Sequence, residues 1–343
     1  MDKRVVFAVA GSGKTSHIIN NLNVDSRALI LTYTDKNLAN LKQRVLKKFG
    51  QIPSGIKIYS YFQFVYSFCV RPLLGNELKT KGINWQVPPT FTMRLKRDNI
   101  KFYIDNNKRL YSNRIAKLLE QADVIDEVVE RLEKYFDHLY IDEIQDFGGH
   151  DFNLLTQIAV ADINQLFVGD FYQHTFDTSR DGNVNGSLHN DYIKYKTRFE
   201  KAGITVDETL LSHSYRCSDN VCSFVTQSLL IDIYSHREDV TNVEFVECET
   251  HAEKLFECAE TVKLFYQSSN KYQGFTENWG ATKGEDCYHD VCVVLNPNTL
   301  KHFNNGNLLE LAAQTKNKLY VACTRAKNNL YFVPEKLLKK YKA

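Results

Sequence analysis

The sequence predicts an α/β chain of two units, each built on a parallel sheet, with a helical insertion in the first. Three observations carry this reading. Short β-rich runs alternate with amphipathic helical patterns at the start of the chain. Helical patterns then dominate from about 70 to 136, and an α/β alternation resumes after about 205. Alternation of this kind implies parallel strands joined by crossover helices. The expected division is 1–205 and 206–343, with the insertion at about 70–136.

Taken in order, "RVVFAVA" is a strand feeding a glycine loop, and "KTSHIINNL" is the helix after it. "RALILTY" reads as a buried strand followed by the amphipathic "KNLANLKQRVLKKF", and "GIKIYS" as a third strand leading into the aromatic "YFQFVYSF". Within the insertion, "RLKRDNIKFYI", "NRIAKLLEQ" and "VIDEVVERLEKYF" read as helices. "HLYID" and "NQLFVGD" are strands on either side of "HDFNLLTQIAVAD", and a polar loop, "DTSRDGNVNGS", follows. "GITVDETLL" is expected to open the second unit. The helix "DNVCSFVTQSLL", the strand "TNVEFVE", the helix "HAEKLFECAETVKLFYQ" and the strand "HDVCVVLN" come next. A helix through "LYVACTRA" and the strand "NLYFV" close the pattern.

At 343 residues, 43% hydrophobic and 24% charged, the chain is long enough to bury two cores. Forty-three basic against forty-one acidic residues exclude a global basic signal, so a nucleic-acid partner must be met by a local surface. No apolar run has the length of a membrane span and no secretion-signal core is present, so a cytoplasmic protein without a membrane partner is expected. The eight cysteines form no C-x-x-C pair and read as reduced and mostly buried.

"AVAGSGKTS" carries the first chemistry. Gly11 and Gly13 let the backbone curl so that the N–H groups of Ala10, Gly11, Ser12 and Gly13 face one anion, and Lys14, Thr15 and Ser16 open a helix. Lys14 would reach the β/γ-phosphates and the Thr15 hydroxyl would ligate magnesium. Ala8 stands at the first position of the usual G-x-x-x-x-G-K-[ST] pattern. Such a loop needs a second carboxylate for the metal and a group to polarise water. "LYIDEIQDF" offers Asp142 and Glu143 for these at a strand's end.

From here the sequence resembles superfamily 1 helicases of the UvrD/Rep type. "DEIQD" is similar to that family's acidic box, with Gln145 at the position linking nucleotide to strand. "LTYTDKNLANLKQR" and "IYSYFQF" resemble its two strand-binding segments, and "VGDFYQ" its G-D-x-x-Q box. "LSHSYRCS" resembles L-x-x-N-Y-R-S, "TKGEDCYHD" the K-G-x-E box, and "LYVACTRAKNNLYFV" the final box. The resemblance spans Ala8 to Val333. It implies two RecA-like P-loop NTPase domains using ATP and Mg2+. Gln173 would sense the γ-phosphate, Arg216 and Arg325 would act as arginine fingers, and Gly284 and Glu285 would contact nucleotide. A guanidinium is suited to this because the transferred phosphoryl group accumulates negative charge.

The chain departs from the family in three places. Too little sequence precedes "RVVF" for the adenine-reading glutamine, the bulky insertion between the arginine and K-G-x-E boxes is missing, and Glu285 directly follows the glycine.

Single strands are held by aromatic stacking with basic residues along the phosphates. Thr32, Tyr33, Thr34, Tyr61 and Phe176 are the candidates, whereas Phe62 and Phe64 read as core. The implied function is an ATP-dependent translocase or helicase moving 3′ to 5′ on single-stranded DNA or a tailed duplex. The alternative is a nucleotide-dependent sensor or adaptor gating a protein partner such as a nuclease.

Overall fold

The computed structural model describes residues 1–175 and 181–342. Its strands, in chain order, begin with β1 (Lys3–Phe7), β2 (Ala28–Thr32) and β3 (Ile56–Ser60). A two-residue pair, β4 (Ile83–Asn84) with β5 (Leu110–Tyr111), lies in the insertion. Then come β6 (His138–Asp142), β7 (Asn164–Gly169) and β8 (Thr205–Asp207), and a second short pair, β9 (His213–Ser214) with β10 (Tyr234–Ser235). The last five are β11 (Val243–Phe245), β12 (Val262–Phe265), β13 (Thr276–Asn278), β14 (Val291–Leu295) and β15 (Leu330–Pro334).

Two sheets result. The first has six strands in the order β3-β2-β6-β7-β1-β8, and the second has five in the order β11-β15-β14-β12-β13. The β2–β3, β2–β6, β6–β7 and β1–β8 pairs are parallel, as are the ladders of the second sheet. The chain is therefore α/β with parallel sheets. β2 and β14 are buried along their whole length, as "ALILT" and "VCVVL" require of strands covered on both faces.

Chain contacts separate two compact units. The first holds Met1–Val6, Thr15–Gly169 and the stretch that ends at Asp207. The second holds Phe7–Lys14, the segment that begins at Asp170, and everything from Glu208. The glycine loop thus packs with the second unit, and its Val9 and Ala10 join the apolar cluster formed by Val221, Val293 and Tyr320.

Three local readings differ from the structure. "GITVDETLL" does not open the second sheet: β8 pairs with β1 at the edge of the first, Val5 opposite Val206. "HAEKLFECAETVKLFYQ" divides into a helix, Glu249–Glu257, and the strand β12, because Cys258 turns extended and the β-rich "VKLF" is buried between β13 and β14. "RLKRDNIKFYI" forms short 3-10 turns, the second of them, Ile100–Phe102, capped at its start by the Asn99 side chain accepting from Lys101 N–H.

The loop "DTSRDGNVNGS" falls partly outside the described residues. Within the described part, Asp181 is a buried carboxylate held by Arg114 at 3.1 Å and Lys117 at 2.9 Å. The cysteines are all free, five of them buried and Cys248, Cys258 and Cys287 exposed. Among the described residues, no helix is long and apolar enough to cross a membrane.

Candidate functional site

In the first unit the acidic strand end is tightly organised. The Thr15 hydroxyl donates to Asp142 Oδ2 at 2.9 Å. Glu143 follows in the left-handed region at φ 58° and is 8% exposed. A non-glycine residue pays on the order of 1 kcal/mol or more for that conformation. The strand end is thus bent sharply at the residue expected to polarise water.

Gln145 is fully buried, and its side-chain nitrogen donates to the Glu143 carboxylate. Gly169 makes this fit possible. A Cβ there would stand 2.4 Å from Gln145 Oε1 and 2.6 Å from Ile144 Cγ2. Gln145 therefore braces Glu143. Ser16 also turns elsewhere, since its hydroxyl accepts from Arg44 at 2.9 Å.

In the second unit the glycine loop is fastened by its own backbone. Ser12 Oγ donates to Val9 O at 2.8 Å, and Gly11 and Gly13 take φ values of 74° and 86°. Tyr215 N–H donates to Gly11 O at 3.0 Å. A Cβ on Gly11 would lie 2.7 Å from both Arg216 Cβ and Ser214 Oγ. The arginine of "LSHSYRCS" is thus packed directly on the loop.

A buried chain of hydrogen bonds extends the same contact. Ala10 N–H donates to Tyr320 Oη at 2.9 Å, and Tyr320 donates to Asp170 Oδ2 at 2.8 Å. Gln173 Nε2 reaches the same oxygen at 2.9 Å. Burial and the neighbouring Asp170 hold the Tyr320 phenol well above its usual range. Gln173 is 3% exposed, so its amide serves this network. Tyr320 and Asp170 were not singled out from the sequence, although both lie inside recognised boxes.

Arg216 pairs with Asp286 at 2.7 Å and donates to Thr324 O at 3.2 Å. Arg325 is 2% exposed and donates to Thr282 O, Glu285 O and Val321 O. Burial, and then the charge of Arg216, lower its pKa to about 10, which leaves it cationic at neutral pH. Its guanidinium organises the "TKGED" turn, a placement different from a freely reaching finger. Gly284 provides that turn's positive φ of 78°. The Glu285 carboxylate accepts from Tyr288 Oη. Burial would raise the Asp286 pKa, but Arg216, Lys327 and Arg325 together hold it below the usual carboxylate value.

The strand-binding candidates divide by exposure. Thr32 is fully buried in β2, and Tyr61 is 1% exposed with its hydroxyl donating to Asp151 at 2.8 Å. Both are core positions, and the Tyr61 ring presents no free face to a base. Thr34 caps α2 (Asp35–Phe49) by accepting from Asn37 N–H. Tyr33 is half-buried and stacks on Tyr61 at 5.7 Å. Phe64 is buried, whereas Phe62 is half-exposed, 5.4 Å from the Tyr33 ring and 4.6 Å from that of Trp85. Phe176 lies outside the described residues.

The Thr15 hydroxyl and Asp142 carboxylate are hard oxygen donors, which suits a magnesium ion that takes one or two protein oxygens beside substrate phosphates. Among the described residues, no group of three or more His, Cys, Asp or Glu side chains forms a metal site.

Two parallel sheets, a glycine loop entering a helix and an acidic strand end define an α/β chain of the P-loop type. No family model matches the chain. It is similar to a curated "Probable DNA helicase II homolog" of Mycoplasma genitalium, at 20% identity over 327 residues, 76% of this chain and 45% of that protein. It is also similar to arterivirus nonstructural protein 10 (helicase), at 14% identity and a TM-score of 0.50, covering 96% of this chain and 59% of that one. The structure of that helicase in complex with DNA gives 14% identity and a TM-score of 0.51, with coverages of 96% and 60%. The chain thus spans less than half the length of the curated relative it matches.

Proposed function

We propose that this protein is an ATP-dependent DNA helicase or translocase that works on single-stranded DNA. The carrying observation is the Thr15–Asp142 hydrogen bond of 2.9 Å, with the bent Glu143 immediately after it. Lys14 and the loop N–H groups would hold the β- and γ-phosphates of ATP, and Thr15 and Asp142 would hold Mg2+, which supplies charge neutralisation when bound. Glu143, oriented by Gln145, accepts the proton of the attacking water. Arg216 lies against the loop and offsets charge on the transferred phosphoryl group, while Arg325 keeps the turn beside it in shape. Domain closure on ATP, its release on hydrolysis and 3′ to 5′ movement complete the proposal. The name of the curated relative, a probable DNA helicase II homolog, and the arterivirus helicase solved in complex with DNA support it.

ATPase activity measured with and without single-stranded DNA tests the reading. Stimulation is expected in the parent chain, and Lys14→Ala and Glu143→Gln should each abolish turnover. Unwinding of 3′- against 5′-tailed duplexes then tests direction. A chain that hydrolyses ATP with no response to any nucleic acid refutes the strand-coupled reading.

A further inference from the structure

Between Lys79 and Arg109 the sequence carries eight Lys or Arg residues against only Asp98 and Asp105. The chain as a whole is near neutral, so this is a strong local excess. All eight except Arg109 are exposed. Among the described residues, only Arg97 and Arg109 of the eight are paired, with Asp181 at 3.8 Å and Asp105 at 2.9 Å. Lys79, Lys81, Arg94, Lys96, Lys101 and Lys108 are left to solvent.

The same stretch exposes large apolar groups. Trp85 is 64% exposed, Val87 89%, Phe91 64% and Met93 52%. A soluble surface rarely concentrates apolar rings and unpaired cations together without a ligand that uses both. A single nucleic-acid strand does so, because its phosphates take the cations and its bases offer π faces.

Trp85 is also held as a platform. Its ring meets Phe62 edge-on at 4.6 Å, and Phe62 meets Tyr33 at 5.4 Å. These two rings stand just past the C-terminal ends of β3 and β2, the edge at which ligands of open α/β sheets bind. Asn84 fixes the backbone beside the ring, donating to Asp105 at 2.8 Å and accepting from Gln86 N–H at 3.0 Å. Immediately beyond, Val87, Phe91, Arg97 and Lys101 line a cavity of about 970 Å³. Tyr103 lines it too, only 2% exposed, with an Oη that has no hydrogen-bond partner among the described residues.

We infer that the insertion is a second contact for single-stranded nucleic acid, in which Trp85 stacks a base and the neighbouring cations follow the phosphates. This deepens the strand-binding reading and rests on it for the class of ligand, while owing nothing to ATP hydrolysis. The strand leaves Tyr33 and Phe62, crosses Trp85, and passes the cavity lined by Arg97 and Lys101.

The two tryptophans make the test direct, because Trp279 is wholly buried and Trp85 is not. The full chain is titrated, without nucleotide, with a fluorescein-labelled oligothymidylate for anisotropy and an unlabelled one for tryptophan emission. Binding should quench the solvent-exposed emission, and Trp85→Phe should remove that quenching while binding persists. Trp85→Ala should weaken binding about tenfold, within the range measured for stacked bases. The combined variant K81E/R94E/K96E should lower the slope of log affinity against log salt by about 2, at ~0.7 per phosphate contact. Melting curves matching the parent confirm that these exposed substitutions leave the fold intact.

A parent chain that binds no strand refutes the proposed function itself. Strand binding by the parent with no change in Trp85 emission, and with both variants at parent affinity, overturns only this inference. So does a polypeptide partner held through this face while strand binding is untouched.

Discussion

Gly11→Ala tests the packing of the glycine loop against Arg216, and Gly50→Ala is its control. Both glycines have a φ near 75° (74° and 75°), so an alanine at either one is strained by about 1 kcal/mol. Around Gly50, at the end of α2, an added Cβ meets nothing within 4 Å. On Gly11 it would stand 2.7 Å from Arg216 Cβ and from Ser214 Oγ, and one of those neighbours is the stiff base of a side chain. Overpacking of that kind adds about 1–3 kcal/mol. Gly11→Ala should therefore cost about 2–4 kcal/mol and Gly50→Ala about 1. At about 2–4 °C per kcal/mol for units of this size, calorimetric melting should fall by roughly 4–16 °C for the first and about 2–4 °C for the second. Gly11→Ala should also lose the thermal shift that Mg-ATP gives the parent chain. Equal melting losses in the two variants would mean that the loop does not rest on Arg216.

Three further outcomes follow from the same geometry. Asp286→Asn removes the carboxylate that occupies Arg216, so KM for ATP should fall several-fold; an unchanged or higher KM contradicts the competition. Tyr320→Phe leaves both Ala10 N–H and Asp170 without their shared partner, which should cost about 2 kcal/mol in denaturant melts and weaken nucleotide binding. Asp181→Ala leaves Arg114 buried beside Thr92 without its carboxylate and should cost about 3 kcal/mol. Burial would raise the Asp181 pKa, but Lys117 and Arg114 outweigh it and hold it below 3.8. Its stabilisation is then complete above that value and disappears as pH falls through the lowered native pKa. Acid melts of the parent should show this loss, and those of Asp181→Ala should not.

Much of the fold could be read from local pattern. β1, β2, β3, β6, β7, β14 and β15 fall on their β-rich runs, and β2 and β14, buried throughout, are continuous apolar stretches. β12 was missed because "TVKLFYQ" directly continues an amphipathic helical pattern, and only its place between β13 and β14 makes it a strand. Among site residues, Thr15 and Asp142 were both named from motif spacing, and they meet through a hydrogen bond. Tyr61 was misread because exposure is a property of the packed chain, and a tyrosine donating to Asp151 in the core is written with the same letter as one that stacks a base. Trp85 was overlooked although "KGINWQVPPT" sets an aromatic among prolines and a lysine; no helical or strand period marks a surface platform.

By itself, the sequence determined an α/β chain of parallel sheets with a phosphate-binding loop at its start, because strand period, helix period and loop chemistry are written within a few consecutive residues. Only the tertiary structure decided which side chains are consumed in holding that loop and which are left for a ligand. Ala10 meets Tyr320 across 310 positions of sequence, and no local pattern encodes a hydrogen bond made only when the chain has folded back on itself.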